Sequence, residues 1–229
     1  FRSGNKYSVI AEAIYSLGLT KKGNLSFGAS GNQAYTNNDY TGTVTQTTNM
    51  HDGYARSFAE WKHTIGKLNY SLGAYLSYIW MLQGSNKIQQ VEWYPKASMS
   101  YRINDKSYIK ISGERSYTTP SLGDISNVEQ IIDSLQIRRG NPNLSVSHTW
   151  MTNLYYEWRH DIFNVNFNMN YQYQQNPVME ETLREGNKFI RTQQNQRSWQ
   201  SLNPELGIQV GPLFKLFTFN ITTGMNYYD

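Results

Sequence analysis

Cysteine is absent from this 229-residue chain, which excludes a disulfide framework and any thiolate metal site and leaves the compartment open. No apolar run reaches the roughly 18 residues that a membrane-spanning helix requires. Hydrophobic content is 38%, too low for a bundle of such helices. No basic, apolar, small-residue leader opens the sequence, so a secretory signal is expected outside it. Lys and Arg exceed Asp and Glu by only four charges and are scattered. A nucleic-acid surface would need a basic stripe with stacking aromatics, so that class of partner is not expected. What the chain has in quantity is aromatic residues, 14% of the total, with 18 Tyr, 9 Phe and 6 Trp.

The most regular stretch is 162–174. Phe163, Val165, Phe167, Met169, Tyr171 and Tyr173 alternate there with Asn164, Asn166, Asn168, Asn170, Gln172 and Gln174. A strand sends successive side chains to opposite faces, so this segment carries one apolar face and one amide face. The alternation lasts about twelve residues, as long as a tilted strand must be to cross a bilayer's hydrocarbon core. The same period-two pattern marks strands at 7–19, 25–35, 54–65, 68–80, 91–103, 107–117, 148–158, 199–210 and 215–228. Pro95 cannot donate a ladder bond and is expected at a strand end or bulge.

The connections alternate in length. Short ones lie at 21–24, 66–67, 104–106, 159–161 and 211–214, and long ones at 36–53, 81–90, 118–147 and 175–198. Outer-membrane barrels sort their connections this way, whereas a soluble sandwich has no physical reason to do so. The expectation is an all-β fold: an antiparallel, up-and-down, transmembrane-type β-barrel segment of about ten strands, with short periplasmic turns and long outer loops. No internally repeated motif supports a propeller. In the 118–147 connection, Ser126-Asn127-Val128-Glu129 reads as a helix capping box, and Val128, Ile131, Ile132 and Leu135 form an apolar stripe. A short helix is therefore expected there. The 175–198 connection is expected to hold a hairpin with Glu185-Gly186-Asn187 at its tip.

Three segments carry a resemblance. They are Trp93-Tyr94-Pro95-Lys96-Ala97-Ser98-Met99-Ser100-Tyr101, Tyr117-Thr118-Thr119-Pro120-Ser121-Leu122, and Gly140-Asn141-Pro142-Asn143-Leu144. In that order and spacing the chain resembles the barrel of a TonB-dependent outer-membrane receptor of the Bacteroidetes type. The similarity extends back to Tyr54–Trp61 and Ile65–Leu68, and forward through the later hairpins. Two features depart from the family pattern. Ser145-Val146 stands where Pro-Glu is usual, and Gly73-Ala74-Tyr75-Leu76-Ser77 lacks the Arg and Glu often found there. The resemblance implies location in the bacterial outer membrane, contact with its lipid, and uptake of a small, scarce nutrient. It implies a TonB-type energy complex acting through a part of the protein absent here, and a surface lipoprotein as a candidate partner. Plugged transporter barrels have about 22 strands, so this chain is expected to be a middle-to-late part of a longer protein.

No enzyme constellation or cofactor motif stands out. His51, His63, His148 and His160 lack metal-ligand spacing, and no metal site is expected. Two alternatives to uptake are kept. One is a complete ten-stranded barrel with a hydrolase or protease site at its rim, for which His51-Asp52 offers a dyad. The other is a structural or adhesive barrel without transport. The candidate ligand-binding residues are Trp80 and Trp93, which border an outer loop and can stack on a sugar, Arg138 and Arg139, which can meet an anion, and Asn141 and Asn143 beside them. Each has a plainer role available: interfacial anchoring for the tryptophans, and loop packing for the rest.

Overall fold

The alternating segments form strands, and most are longer than their patterns. The computed structural model describes residues 2–40, 46–84, 86–126 and 129–229. In chain order the strands are β1 (Arg2–Thr20), β2 (Gly23–Tyr40), β3 (Gln46–Ile65), β4 (Leu68–Gln83), β5 (Asn86–Trp93), β6 (Lys96–Asn104) and β7 (Ser107–Thr118). A one-turn helix, α1 (Leu122–Ile125), and two short strands, β8 (Gln130–Ile131) and β9 (Gln136–Arg138), follow. Then come β10 (Ser147–His160), β11 (Phe163–Gln175), β12 (Val178–Glu185), β13 (Lys188–Asn195), β14 (Ser198–Leu213), β15 (Phe217–Gly224) and β16 (Tyr227–Tyr228).

The main sheet runs in the order β1-β2-β3-β4-β6-β7-β10-β11-β14-β15, with β5 continuing β6 alongside β4, and β16 pairing with β14. Each neighbouring pair is antiparallel. Among the described residues β1 and β15 do not pair, so the sheet is an open wall with two edges. Its ten principal strands are those expected from the alternation.

Register turns the alternation into faces. Phe167 of β11 stands between Tyr156 of β10 and Leu206 of β14, and Asn168 stands between Tyr155 and Glu205. On β4 the apolar face points outward, with Leu72 56% and Leu76 51% exposed. On the inner face Ser77 is 0% and Ile79 5% exposed. An apolar surface left uncovered on one side of a tilted wall is what lipid covers. The inner face carries the amides and hydroxyls of a lumen, including the cross-strand bonds Asn153–Asn168 (2.8 Å) and Ser71–Ser98 (2.9 Å).

Tight turns stand at both ends: one at Gly84 (φ +57°) joins β4 to β5 at the outer end, and others close the opposite end. Gly66 at φ +58° and Asp161 at φ +51° close two of them. The outer end differs from expectation in two places. The segments read as loops 36–53 and 81–90 are largely strand. β2 and β3 pair out to Tyr40↔Gln46, and β4 and β5 out to Gln83↔Asn86. The 36–53 stretch is polar on both faces, so it carries no period-two signal, yet its ladder is supported by Asn37–Asn49 (2.8 Å) and Thr47–Asp39 (2.7 Å).

The helix expected at 126–135 is a second correction. The helical turn lies earlier, at Leu122–Ile125, where Asp124 accepts hydrogen bonds from the backbone N–H (3.1 Å) and hydroxyl (2.6 Å) of Ser121. Residues 130–138 form a β8–β9 hairpin instead. Its turn is set by the Asp133 carboxylate, which accepts the Leu135 (2.7 Å) and Gln136 (2.8 Å) amides. Asp133 captures the amides an α-helix would have used, which is the local competition that disfavours Asp inside helices. Ile131, Ile132 and Leu135 are consequently exposed. Asn127 and Val128 lie outside the described residues.

The hairpin expected at 175–198 is present as β12–β13, with Gly186 at φ +61° in its turn. β13 also pairs in parallel with β9, which builds a second, four-stranded sheet in the order β12-β13-β9-β8. Of the nine buried hydrophobic residues among those described, five sit in this outer cluster: Ile125, Ile137, Leu144, Val146 and Ile190. The other four lie on the inner face, Ala34, Met50 and Ile79 on β2, β3 and β4, and Tyr94 in the break between β5 and β6.

Candidate functional site

The outer end of the wall opens where Pro95 interrupts the strand. β4 keeps one register across the break, pairing Leu76↔Trp93 above it and Gly73↔Lys96 below it. β7 does not follow: its ladder with β6 ends at Lys96↔Glu114, and the last bond is from the Arg115 amide to the Pro95 carbonyl (3.0 Å). Above that point a side-chain cluster bridges β5 and β7. The Arg115 guanidinium donates twice to one Glu92 oxygen (both 3.1 Å) and also to the Trp93 carbonyl. The other Glu92 oxygen accepts from Gln90 (2.6 Å) and lies 2.9 Å from His148 Nε2. The Glu92 and Arg115 side chains are only 7% and 11% exposed. The guanidinium also lies against two indole rings that touch each other, Trp93 (5.4 Å) and Trp150 (5.9 Å). A buried ion pair of this kind is stable only when its remaining lone pairs are used, as they are here.

Beside this junction the inner wall is aromatic. Tyr75 stacks on Phe58 (5.3 Å) and Tyr94 (5.1 Å), and Tyr94 meets Tyr117 edge-on (5.6 Å). Arg56 lies over Tyr54 (4.7 Å) and Tyr94 (5.4 Å). The Tyr117 hydroxyl crosses to Ser77 (2.9 Å). The Tyr94 hydroxyl and Arg56 Nε are buried without a hydrogen-bond partner. Aromatic faces with unused donors and one guanidinium can stack a planar group and hold an acceptor.

The candidate residues fall into two groups. Trp80 and Trp93 share the outward parity of Leu72 and Leu76. Trp80 lies over Gly53, where a Cβ would meet its ring at 2.6 Å, and donates to Gln33 (3.1 Å). Trp93 is 54% exposed and packs on Trp150 (6.3 Å). Trp93 is not placed among the inner-face aromatics, whereas Trp80 borders a cavity together with Asp52, Tyr54 and Tyr117. Arg138, Arg139, Asn141 and Asn143 come together in the outer cluster. Arg139 pairs with Glu129 (2.7 Å) and Glu185 (3.2 Å). Its hydrogen bond to Glu129, then that to Glu185, raises its pKa above the ordinary arginine value. Arg138 approaches Asp124 (3.8 Å). The Asn141 amide donates to the Gln193 carbonyl (3.0 Å) and its oxygen accepts the Asn143 N–H (3.0 Å). A Cβ on Gly140 would lie 2.2 Å from the Ser126 carbonyl. The Gly-Asn-Pro-Asn-Leu stretch therefore docks α1 and β13 onto the strand that follows.

His51 and Asp52 point to opposite faces of β3. His51 meets Tyr35 (4.9 Å) on the outer face, while Asp52 faces inward, so they do not form a dyad. Sequence reasoning did not single out Glu92, Arg115 or His148. The available signal was Arg115 itself, a charge on the parity otherwise held by Ile109 and Ile111, next to a proline-broken strand.

The model of the family described as "Outer membrane protein beta-barrel family" matches residues 2–229. No curated protein matches the chain in sequence. Among solved structures, the copper transporter OprC is similar over 99% of this chain and 39% of its own length, at TM-score 0.72 and 9% identity. The FrpB iron transporter from Neisseria meningitidis (F3-3 variant) is similar over 98% of this chain and 36% of its own, at 0.70 and 10%. The ferric enterobactin receptor PfeA from Pseudomonas aeruginosa, a Q482A mutant in complex with enterobactin, is similar over 97% and 36%, at 0.67 and 14%. The chain thus spans under two fifths of the length of these structures, and at such identities the likeness is one of fold. With its outward apolar band and the family match over nearly its whole length, the chain belongs to the outer membrane protein beta-barrel family and resides in the bacterial outer membrane.

Proposed function

We propose that the chain is part of the barrel wall of an outer-membrane receptor that takes up a scarce nutrient with TonB-type energy coupling, the coupling and gating parts lying in the remainder of a longer protein. The observation that carries this reading is the inner face itself. A lumen lined by amides, tyrosines and an Arg56 guanidinium ends under a folded outer cluster, an arrangement suited to capturing a small polar ligand at the mouth. Copper, iron and enterobactin are named for the similar structures, and they illustrate the range of cargo such a wall can serve. The polar cluster of Arg138, Arg139, Asn141 and Asn143 shapes the mouth, and a surface lipoprotein is a candidate partner over it.

The test is deletion of the full-length gene followed by growth on single limiting nutrients, with energy coupling collapsed in parallel. A growth defect on one nutrient, reproduced by loss of coupling, is expected. Unchanged growth and uptake across the panel, with wild-type protein shown to be inserted, overturns the reading.

A further inference from the structure

The inner face of the β2–β4 extension holds a row of buried polar atoms without hydrogen-bond partners: Asn32 Oδ1, Thr36 Oγ1, Thr48 Oγ1, Asp52 Oδ1 and Gln83 Oε1. All five share one face by register, since Asn32 is level with Tyr54, Thr36 with Met50, and Asp52 with Met81. Buried polar atoms are ordinarily paired, and a carboxylate oxygen left bare is the costliest exception. Two of these residues, Asn32 and Asp52, line a cavity of about 190 Å³ together with Tyr54, Ile79, Met81 and Tyr117. That volume corresponds to about six water-sized groups at roughly 30 Å³ each.

The chemistry of the lining is one-sided. Its unused atoms are oxygens, and among the described residues that border the cavity Asp52 is the only charged one. The nearest cation on the same strand face, Arg56, is engaged over the Tyr54 and Tyr94 rings. Ile79, Met81 and Ile88 supply an apolar wall, and Tyr54 an aromatic face. We propose that this cavity is a binding site for an ammonium group, the cationic end of a small amine with a short apolar stem. An ammonium brings three donors to a carboxylate and an amide oxygen and packs its stem on the aliphatic wall. An alcohol of the same shape brings one donor and no charge. As a step in import, the site rests on the uptake reading; as a binding site it does not.

The probes are n-pentylamine and 1-pentanol, titrated calorimetrically at pH 7 into the full-length protein in detergent. The amine is expected to bind roughly tenfold more tightly, the effect of one charge-assisted hydrogen bond. Asp52→Asn, which keeps the shape, is expected to abolish that preference and leave the pentanol affinity unchanged. Asn32→Ala is expected to weaken the amine alone. Heat-modifiable mobility on gels checks that each variant is folded. Equal affinities, no binding of either probe, or a preference that survives Asp52→Asn overturns the site. An amine preference that obeys Asp52, in a strain whose uptake is unchanged by gene deletion, upholds the site and overturns the import reading.

Discussion

The spanning wall and the outer cluster solve the problem of burial in opposite ways. At β10–β11 the backbone ladder runs unbroken from His148↔Gln175 to His160↔Phe163, and no side chain on the apolar face is buried by protein. Lipid completes that surface. In the outer cluster the strands are short, only three pairs joining β9 to β13. There the fold depends on a small core of Ile125, Ile137, Leu144, Val146 and Ile190 and on side-chain bonds to backbone, such as Ser145 N–H to Asn195 (2.8 Å) and Asn195 to the Asn176 carbonyl (2.8 Å). Outside the membrane the chain must make its own interior. The same sequence therefore follows a two-residue rule in one region and has no simple periodicity in the other.

Substitutions can break or sharpen this contrast. The largest effect is expected at the junction. Arg115→Ala leaves Glu92 buried beside His148 and should cost about 3–5 kcal/mol in urea unfolding of the bilayer-inserted protein. Replacing both partners, Glu92→Leu with Arg115→Met, should recover most of that loss, and failure to recover would show that the charges do more than satisfy each other. Next, Phe167→Arg should destabilise insertion by about 2–4 kcal/mol near the bilayer midplane, and Asn168→Arg far less. Equal losses would refute the assignment of faces. Gly140→Ala should cost about 1–3 kcal/mol by overpacking against Ser126. Amide exchange should then speed up in 122–146 and 188–195, while 163–175 stays protected. Exchange rising equally in both regions would make them one cooperative unit. The smallest effect is expected for Arg139→Ala. Its pairs are solvent-exposed and worth about 0–1 kcal/mol, and addition of salt to the wild type should reproduce the change.

Legibility in the sequence followed the same division. The ten principal strands, the break at Pro95 and the β12–β13 hairpin could be read because each rests on local chemistry: alternation, a missing N–H, a glycine that turns. The extension of β2 and β3 past the membrane could not. Thr36-Asn37-Asn38 is polar on both faces, and it is the ladder with β3 that makes it a strand. The helix was misplaced because Ile131, Ile132 and Leu135 supplied a helical stripe while Asp133 supplied a turn, and the turn prevailed. Arg138 and Arg139 read in the sequence as charges that can meet an anion or pack the loop, and in the structure they pair with carboxylates of the outer cluster. That Glu185 would be one partner of Arg139 depends on β13 docking beside β9, 46 positions away. Asp52 and Asn32 are also apart in sequence and meet only through the pairing of β2 with β3.

The interruption at Pro95 has a consequence for how such a protein can change. Above it, β5 is held to β7 by a handful of side chains rather than by the peptide ladder. The segment that crowns β4 and β5 can shift against β7 while every strand below keeps its ladder partners. The seam separates a part whose strands are tied edge to edge by the peptide ladder from a part that only side chains hold, and it places that looser joint at the outer end of the wall.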